Sequence, residues 1–377
     1  MSSRRLLSVT GGPSRKLRID ASMDAEEICD ILSEAKHNSY LNAISFDEVH
    51  LDATIASAVV ELLQSFGRTW KELNFEFCHG QVGVVLQAAL CLNCVKYVFL
   101  ASDAPQEDLM MNFGTLLRIN KSLTSLWLLI PISCSAAESL GDSLRHNQHL
   151  EKLSLSGANW EPNAAQTLAT SGLADNGALR TMDLSCCFLP DDELSVLLEA
   201  LVGHPCLEGL DLARNSAQRA TPQSLATMMQ HEKCKLLSID LREQSLEEEQ
   251  ELNINVVARA LEVNETLEIL KLSNNGLGDN QVVALAHGLR RNSCLQELDL
   301  QWNVITEKGL NFLTEALPDI SALEVLLLGG NAFGKDGYNM LESLPEDDES
   351  IQTVNERDLQ ESWGASYSGS VLQGEVL

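Results

Sequence analysis

Two consecutive segments carry the same alternation of apolar and polar positions. Leu267 to Asn292 reads LEILKLSNNGLGDNQVVALAHGLRRN, and Ser293 to Ile320 reads SCLQELDLQWNVITEKGLNFLTEALPDI. Each opens with Leu-x-x-Leu-x-Leu-x-x-Asn. Leu270 and Leu272 lie two apart, the period of one face of a strand. The following stretch changes period: Val282, Leu285, Ala286 and Leu289 form a helical stripe, and Asp279 stands where a helix start wants a cap. The pattern therefore predicts a strand, a tight turn and a helix.

The same opening recurs along the chain, with first apolar positions at Leu41, Trp70, Val95, Leu123, Leu150, Leu179, Leu207, Leu236, Leu267, Leu295 and Leu323. The steps run from 25 to 31 residues and are mostly 28 or 29. Neither half of such a repeat can bury its apolar face alone. Stacked repeats bury it in one core, with a parallel ladder on one side and helices on the other. A helix is wider than a strand, so the stack is expected to bend. The Asn that closes each opening falls where the chain leaves the ladder, and its amide can serve both backbone donors and acceptors there. Asn215, Asn275, Asn303 and Asn331 are therefore expected to be structural turn ties. In the earlier repeats the position holds Val49, Cys78, Asp103, Pro131, Ala158 and Cys187. Those turns must be tied another way.

This pattern resembles the leucine-rich repeat family, and within it the ribonuclease-inhibitor-like class with repeats of 28 to 29 residues. The resemblance rests most firmly on NNGLGDNQVVALAHGL, WNVITEKGLNFLTEAL and GNAFGKDGYNMLESL. It implies an α/β leucine-rich repeat solenoid (horseshoe), strands on the concave face and helices on the convex face, that binds other proteins on the concave face. The expected organisation is a disordered basic tail over 1–15, an N-terminal cap over 16–40, about eleven repeats over 41–344, and an acidic, Ser/Gly-rich tail over 345–377.

Composition narrows the partner. The formal charge is −28 over 377 residues and the isoelectric point about 4.5. So acidic a chain is expected to avoid nucleic acid and anionic membrane, and to prefer a protein or peptide with basic and apolar contact residues. No apolar run reaches the ~18 residues of a membrane helix. The start, MSSRRLLSVTGGPSRK, is too short in its apolar part for a secretory signal, although its basic, Ser-rich character also suits a short transit peptide. Ten cysteines read as reduced thiols of the cytoplasm or nucleus. The sequons at Asn120 and Asn264 read as chance.

No catalytic motif emerges, and no metal or cofactor is expected. Cys91-Leu-Asn-Cys94 has metal or redox spacing, but Cys94, Cys206 and Cys294 all stand just before a strand start, which is a packing position. His146 and His149 sit at a helix end without further ligands. The positions facing away from the core say more. At the fifth position, Phe99 and Trp127 neighbour each other, with Tyr97 and Leu129 close by; Asp183, Asp211 and Asp240 then form a run, with Asp299 further on. Trp302 occupies an eighth position. These nine residues are the expected partner-binding set. The alternatives are a shifted register in VKYVFL and LWLLI, apolar throughout, and a merely solvated acidic face. A GTPase-activating protein of the Ran type, whose family shares this repeat length and an acidic C-terminal segment, is a second reading. It is disfavoured because that family works through an Arg in an early loop, and 47–56, 76–85, 101–110 and 129–138 contain neither Arg nor Lys.

Overall fold

In a computed structural model of the chain, the strand-turn-helix pattern folds as two compact units, Met1–Asp211 and Leu212–Leu377. The structure describes residues 15–65, 70–103, 107–244, 252–334, 337 and 352–354. The basic tail expected over 1–15 lies outside these residues apart from Arg15.

The N-terminal unit holds β1 (Lys16–Asp20), β2 (Ala43–Asp47), β3 (His50–Leu51), β4 (Trp70–Glu76), β5 (His79–Gly80), β6 (Val95–Ala101), β7 (Ser125–Leu129), β8 (Lys152–Ser154), β9 (Thr181–Asp183) and β10 (Gly209–Asp211). Among the described residues, seven α-helices alternate with them: α1 (Ala25–Ala35), α2 (Ala53–Gln64), α3 (Val82–Cys91), α4 (Glu107–Leu117), α5 (Cys134–His146), α6 (Ala164–Ser171) and α7 (Asp191–Ala200). The main sheet runs β1-β2-β4-β6-β7-β8-β9-β10, and its neighbouring strands pair in parallel throughout. The segment 16–40 is itself a strand and helix, with β1 pairing Leu17 to Ile44.

The C-terminal unit continues the alternation with β11 (Ser238–Asp240), β12 (Ile269–Lys271), β13 (Glu297–Asp299) and β14 (Val325–Leu327), and with α8 (Ala220–Gln230), α9 (Ile254–Leu261), α10 (Asp279–Leu289) and α11 (Glu307–Ala316). A further strand, β15 (Gln352–Val354), pairs in parallel with β14 from within the segment read as a tail; the rest of that segment lies outside the described residues.

The core follows the repeat. The first, fourth and sixth positions are buried in all eleven repeats, from Leu41, Ile44 and Phe46 to Leu323, Leu326 and Leu328. Each such leucine contributes about 1.5–3 kcal/mol on leaving water. The helices approach so closely that side chains must be small between them. A Cβ on Gly288 would come within 2.2 Å of the Ala258 carbonyl oxygen. Ser143 fills the equivalent space beside α4 by donating to the Gly114 carbonyl at 2.9 Å.

Where the chain leaves the ladder, the eighth position is left-handed in nine repeats: Glu48, Phe77, Gly157, Cys186, Arg214, Glu243, Asn274, Trp302 and Gly330. Side chains resist this conformation. It is held because the amide there still finds the sheet, as with Phe77 N–H donating to Ala101 O at 2.9 Å and Trp302 N–H to Gly329 O at 2.8 Å.

The ninth position then closes the turn. Asn303 accepts from the Asn275 and Leu277 amides, each at 3.0 Å, and donates to the carbonyls of Leu272, Leu300 and Gln301. Asn275 and Asn331 bridge neighbouring repeats in the same way, and Asn215 donates to Leu212 and Ala213. Gln244 completes the series: its amide donates to Leu212 O at 2.9 Å and accepts from Ala217 N at 3.0 Å. In the N-terminal unit, the backbone replaces the side chain at several of these turns. His79 N–H donates to Val49 O and Gln81 N–H to Leu51 O, forming the β3–β5 pair. Ile132 and Trp160 form a similar bridge, and Cys187 offers its thiol to Leu155 O at 3.1 Å.

A second ladder lies at the other end of the strands, three residues before the first apolar position. Asn120, Asn147, Asn176, Asn264 and Asn292 are all buried there. Each accepts the amide of the residue at that first apolar position, at 2.8 to 2.9 Å. Each also donates to a carbonyl at the helix end of the preceding repeat, as Asn292 does to Leu261 O at 2.8 Å. In the repeat starting at Leu207 the position holds His204, whose Nδ1 accepts the Leu207 and Cys206 amides while its buried Nε2 has no partner.

Helix starts are tied across repeats too. The cap of α10 is Gly278, with Asp279 the first helical residue. Rather than capping its own helix, the Asp279 carboxylate accepts the Thr306 amide at 2.9 Å and hydroxyl at 2.8 Å, before α11.

Candidate functional site: the sheet face

Strand alternation puts the third, fifth and seventh positions on the sheet face turned away from the core. In the N-terminal unit the register pairs Tyr97 with Ser125, Phe99 with Trp127 and Ala101 with Leu129, so VKYVFL and LWLLI share one frame. Tyr97 and Trp127 meet edge to face, their ring centroids 5.8 Å apart. Both are half-buried, as is Leu129, while Phe99 is buried, at 8% exposure. Burial, then Glu72 and Glu76, push the Tyr97 phenol well above its ordinary range. It remains a neutral donor at any working pH.

On one side of these rings stand acids and amides. Glu72 Oε1 receives Lys16 Nζ in an ion pair and Asn74 Nδ2 at 2.6 Å. Asn74 is buried, and its Oδ1 has no hydrogen-bond partner. Glu76 pairs in register with Asp47. Burial raises the Glu76 carboxyl above the usual carboxylate range, Asp47 adds to the rise, and Arg18 and Lys16 only partly offset it.

On the other side, the Asp183 carboxylate is occupied. It accepts Ser154 Oγ at 2.8 Å, Ser185 Oγ at 2.7 Å and Ser185 N at 2.9 Å. Asp183 and Asp211 are register partners.

In the C-terminal unit the expectation of free carboxylates needs correcting. Asp240 is buried and gripped by Arg242, whose Nε lies 2.8 and 3.0 Å from its two oxygens. Asp299 is buried as well, and burial holds its carboxyl above the usual range even though Gln301 N–H donates to it at 3.0 Å. Neither presents an open charge. Trp302 does face solvent, at 47% exposure. It lies over Gly330, where a Cβ would come within 2.5 Å of the indole.

Of the cysteines, Cys78, Cys94 and Cys187 are buried packing groups, whereas Cys91 is exposed. Cys94 is buried with its thiol pushed up to about 11 by desolvation, and Cys187 likewise to about 12. All ten are free thiols. Among the described residues no group of three His, Cys, Asp or Glu side chains is placed to hold a metal ion, and no helix is long and apolar enough to cross a membrane.

The repeat is seen in other proteins. A family profile described as Leucine Rich repeat matches residues 263–286 and 291–313. Among curated proteins, the chain is 31% identical over 174 residues to NACHT, LRR and PYD domains-containing protein 12 of Mus musculus, covering 46% of this chain and 16% of that protein. It is 31% identical over 164 residues to the Homo sapiens protein of the same name, covering 43% and 15%. It is 30% identical over 241 residues to NACHT, LRR and PYD domains-containing protein 14 of Mus musculus, covering 59% and 24%. Among solved structures, an internalin (inlF) of Listeria monocytogenes aligns with TM-score 0.46 and 14% identity, over 87% of this chain and 93% of that one. TLR13, in its complex with ssRNA13, aligns with TM-score 0.49 and 15% identity, over 90% and 49%. The chain is a leucine-rich repeat protein. It spans less than a quarter of the length of each of the curated relatives it matches.

Proposed function

We propose that this chain is a non-catalytic interaction module that binds a protein or peptide on the sheet face of its N-terminal unit. The ribonuclease-inhibitor-like class and a reducing, cytoplasmic or nuclear setting belong to the same proposal. The observation that carries it is the patch of Tyr97, Trp127 and Leu129: large, half-buried, and set among polar neighbours. Rigid aromatics ringed by polar groups are the usual anchors of protein interfaces. Leucine-rich repeats in the relatives fit a binding role. The ten free thiols fit the compartment.

Affinity capture from native lysate tests the proposal when run with variants side by side. Trp127→Ala should release the captured protein faster, whereas Arg290→Ala with Arg291→Ala, in the turn at the C-terminal end of α10, should leave capture unchanged. The reverse outcome would move the binding surface to the helices.

A further inference from the structure

Asn74 holds a buried acceptor that nothing in the chain uses. Its Nδ2 donates to the Glu72 carboxylate at 2.6 Å, which fixes the amide's orientation, since Oδ1 would be repelled there. Oδ1 is therefore the atom without a partner, in a side chain only 7% exposed. A buried acceptor left unpaired is costly, and persists where something else supplies the donor. Two positions along the same strand, Glu76 lacks sufficient positive charge: burial and Asp47 act against its ionisation more than Arg18 and Lys16 favour it. In the next strand, Tyr97 is the register partner of Glu72 and leans edge-on against Trp127. The strip thus sets an acceptor and an under-compensated carboxylate, that of Glu76, beside an aromatic face.

We propose that this strip receives the guanidinium of an arginine in an extended peptide partner, with a neighbouring apolar side chain of that peptide lying on Trp127 and Leu129. The inference rests on the sheet-face reading and specifies its ligand. A guanidinium meets all three demands at once. Its fork presents several N–H donors in one plane, enough to serve Asn74 Oδ1 and Glu76 together. Its flat face stacks on an aromatic ring. Its charge compensates the carboxylate, which a neutral amide donor cannot do. An ammonium is a compact point charge and serves the two acceptors less well.

The test uses random peptides displayed on phage and selected on the full chain, with the selected peptides then synthesised and titrated. Arginine should be enriched beside an apolar residue. Replacing that arginine by citrulline, which keeps the shape and removes the charge, should weaken binding by about tenfold or more. Glu76→Gln, an isosteric change, should bring the arginine peptide's affinity toward the citrulline level and leave the citrulline peptide's affinity unmoved, whereas Asn74→Leu, which removes the acceptor that both peptides' N–H groups use, should weaken both. Selection without arginine overturns the proposal, as does an arginine peptide indifferent to citrulline or to Glu76→Gln. If such peptides nonetheless fail on Trp127→Ala, the sheet-face reading stands and only the arginine assignment falls. If they ignore Trp127→Ala as well, both fall.

Discussion

Asn303 gives the most direct test of what holds the repeats in register. Truncating it to Ala removes one acceptor shared by two amides, Asn275 N–H and Leu277 N–H, and a donor shared by three carbonyls. The carbonyls lose less than the count implies. Leu272 O keeps Asn275 Nδ2 at 3.0 Å, and Leu300 O keeps Asn331 Nδ2 at 2.9 Å. The two amides are left at a site where the side chain is only 5% exposed. An orphaned buried donor costs about 1–3 kcal/mol. Two of them, eased by water entering the vacated space, give an expected loss of about 2–4 kcal/mol. Asn280→Ala is the control: it is exposed, lies within α10, and Ala is the better helix former, so no loss is expected there. Urea titration should show the midpoint falling for the first variant alone. Hydrogen exchange should show the Asn275 and Leu277 amides losing protection before their neighbours. Equal midpoints for the two variants, or unchanged exchange at those amides, would refute the reasoning.

Three further outcomes are expected. His204→Asn should raise stability by about 1 kcal/mol, because it exchanges an unpartnered buried Nε2–H for an amide able to donate as its counterparts do. Burial lowers the His204 pKa, so below its ordinary value of about 6.5 the unfolded chain takes up a proton that the folded chain resists; stability then falls as pH drops, and thermal melts should show this slope diminished in His204→Asn. Leu270→Ala, at a fully buried strand position, should cost about 2–5 kcal/mol by denaturant titration, whereas Val304→Ala, at 54% exposure, should fall within about 0.5 kcal/mol of the parent. Asn120 and Asn264 spend their side-chain nitrogens on Leu90 O and Met229 O, so folded chain recovered from secretory expression should carry no glycan at either sequon by mass spectrometry.

The sequence by itself determined the repeat and its core, because those follow from local periodicity. Leu270 and Leu272 can share a strand face, and Val282, Leu285, Ala286 and Leu289 a helix stripe, only in one arrangement of a short segment. It also marked Asn275 and Asn303, since a polar residue at a fixed offset after three leucines has few other uses. It did not reveal the second ladder, although Asn120, Asn147, Asn176, Asn264 and Asn292 recur at an equally fixed offset before the strand. That position ends the helix, where an Asn is unremarkable until the preceding repeat's carbonyls are seen against it. Gln244 went unmarked because its side chain is longer by one methylene, and only the turn shows that it reaches Leu212 O. The sheet face was legible in part. Alternation placed Tyr97, Phe99 and Trp127 on it. Tertiary structure alone decided which groups there are free: Asp240 is held by Arg242 and Asp183 by Ser154 and Ser185, while Asn74 Oδ1 is left without a partner. Strand spacing sets which columns are adjacent, but hydrogen-bond satisfaction depends on side-chain orientation across neighbouring strands, and no single repeat contains that information.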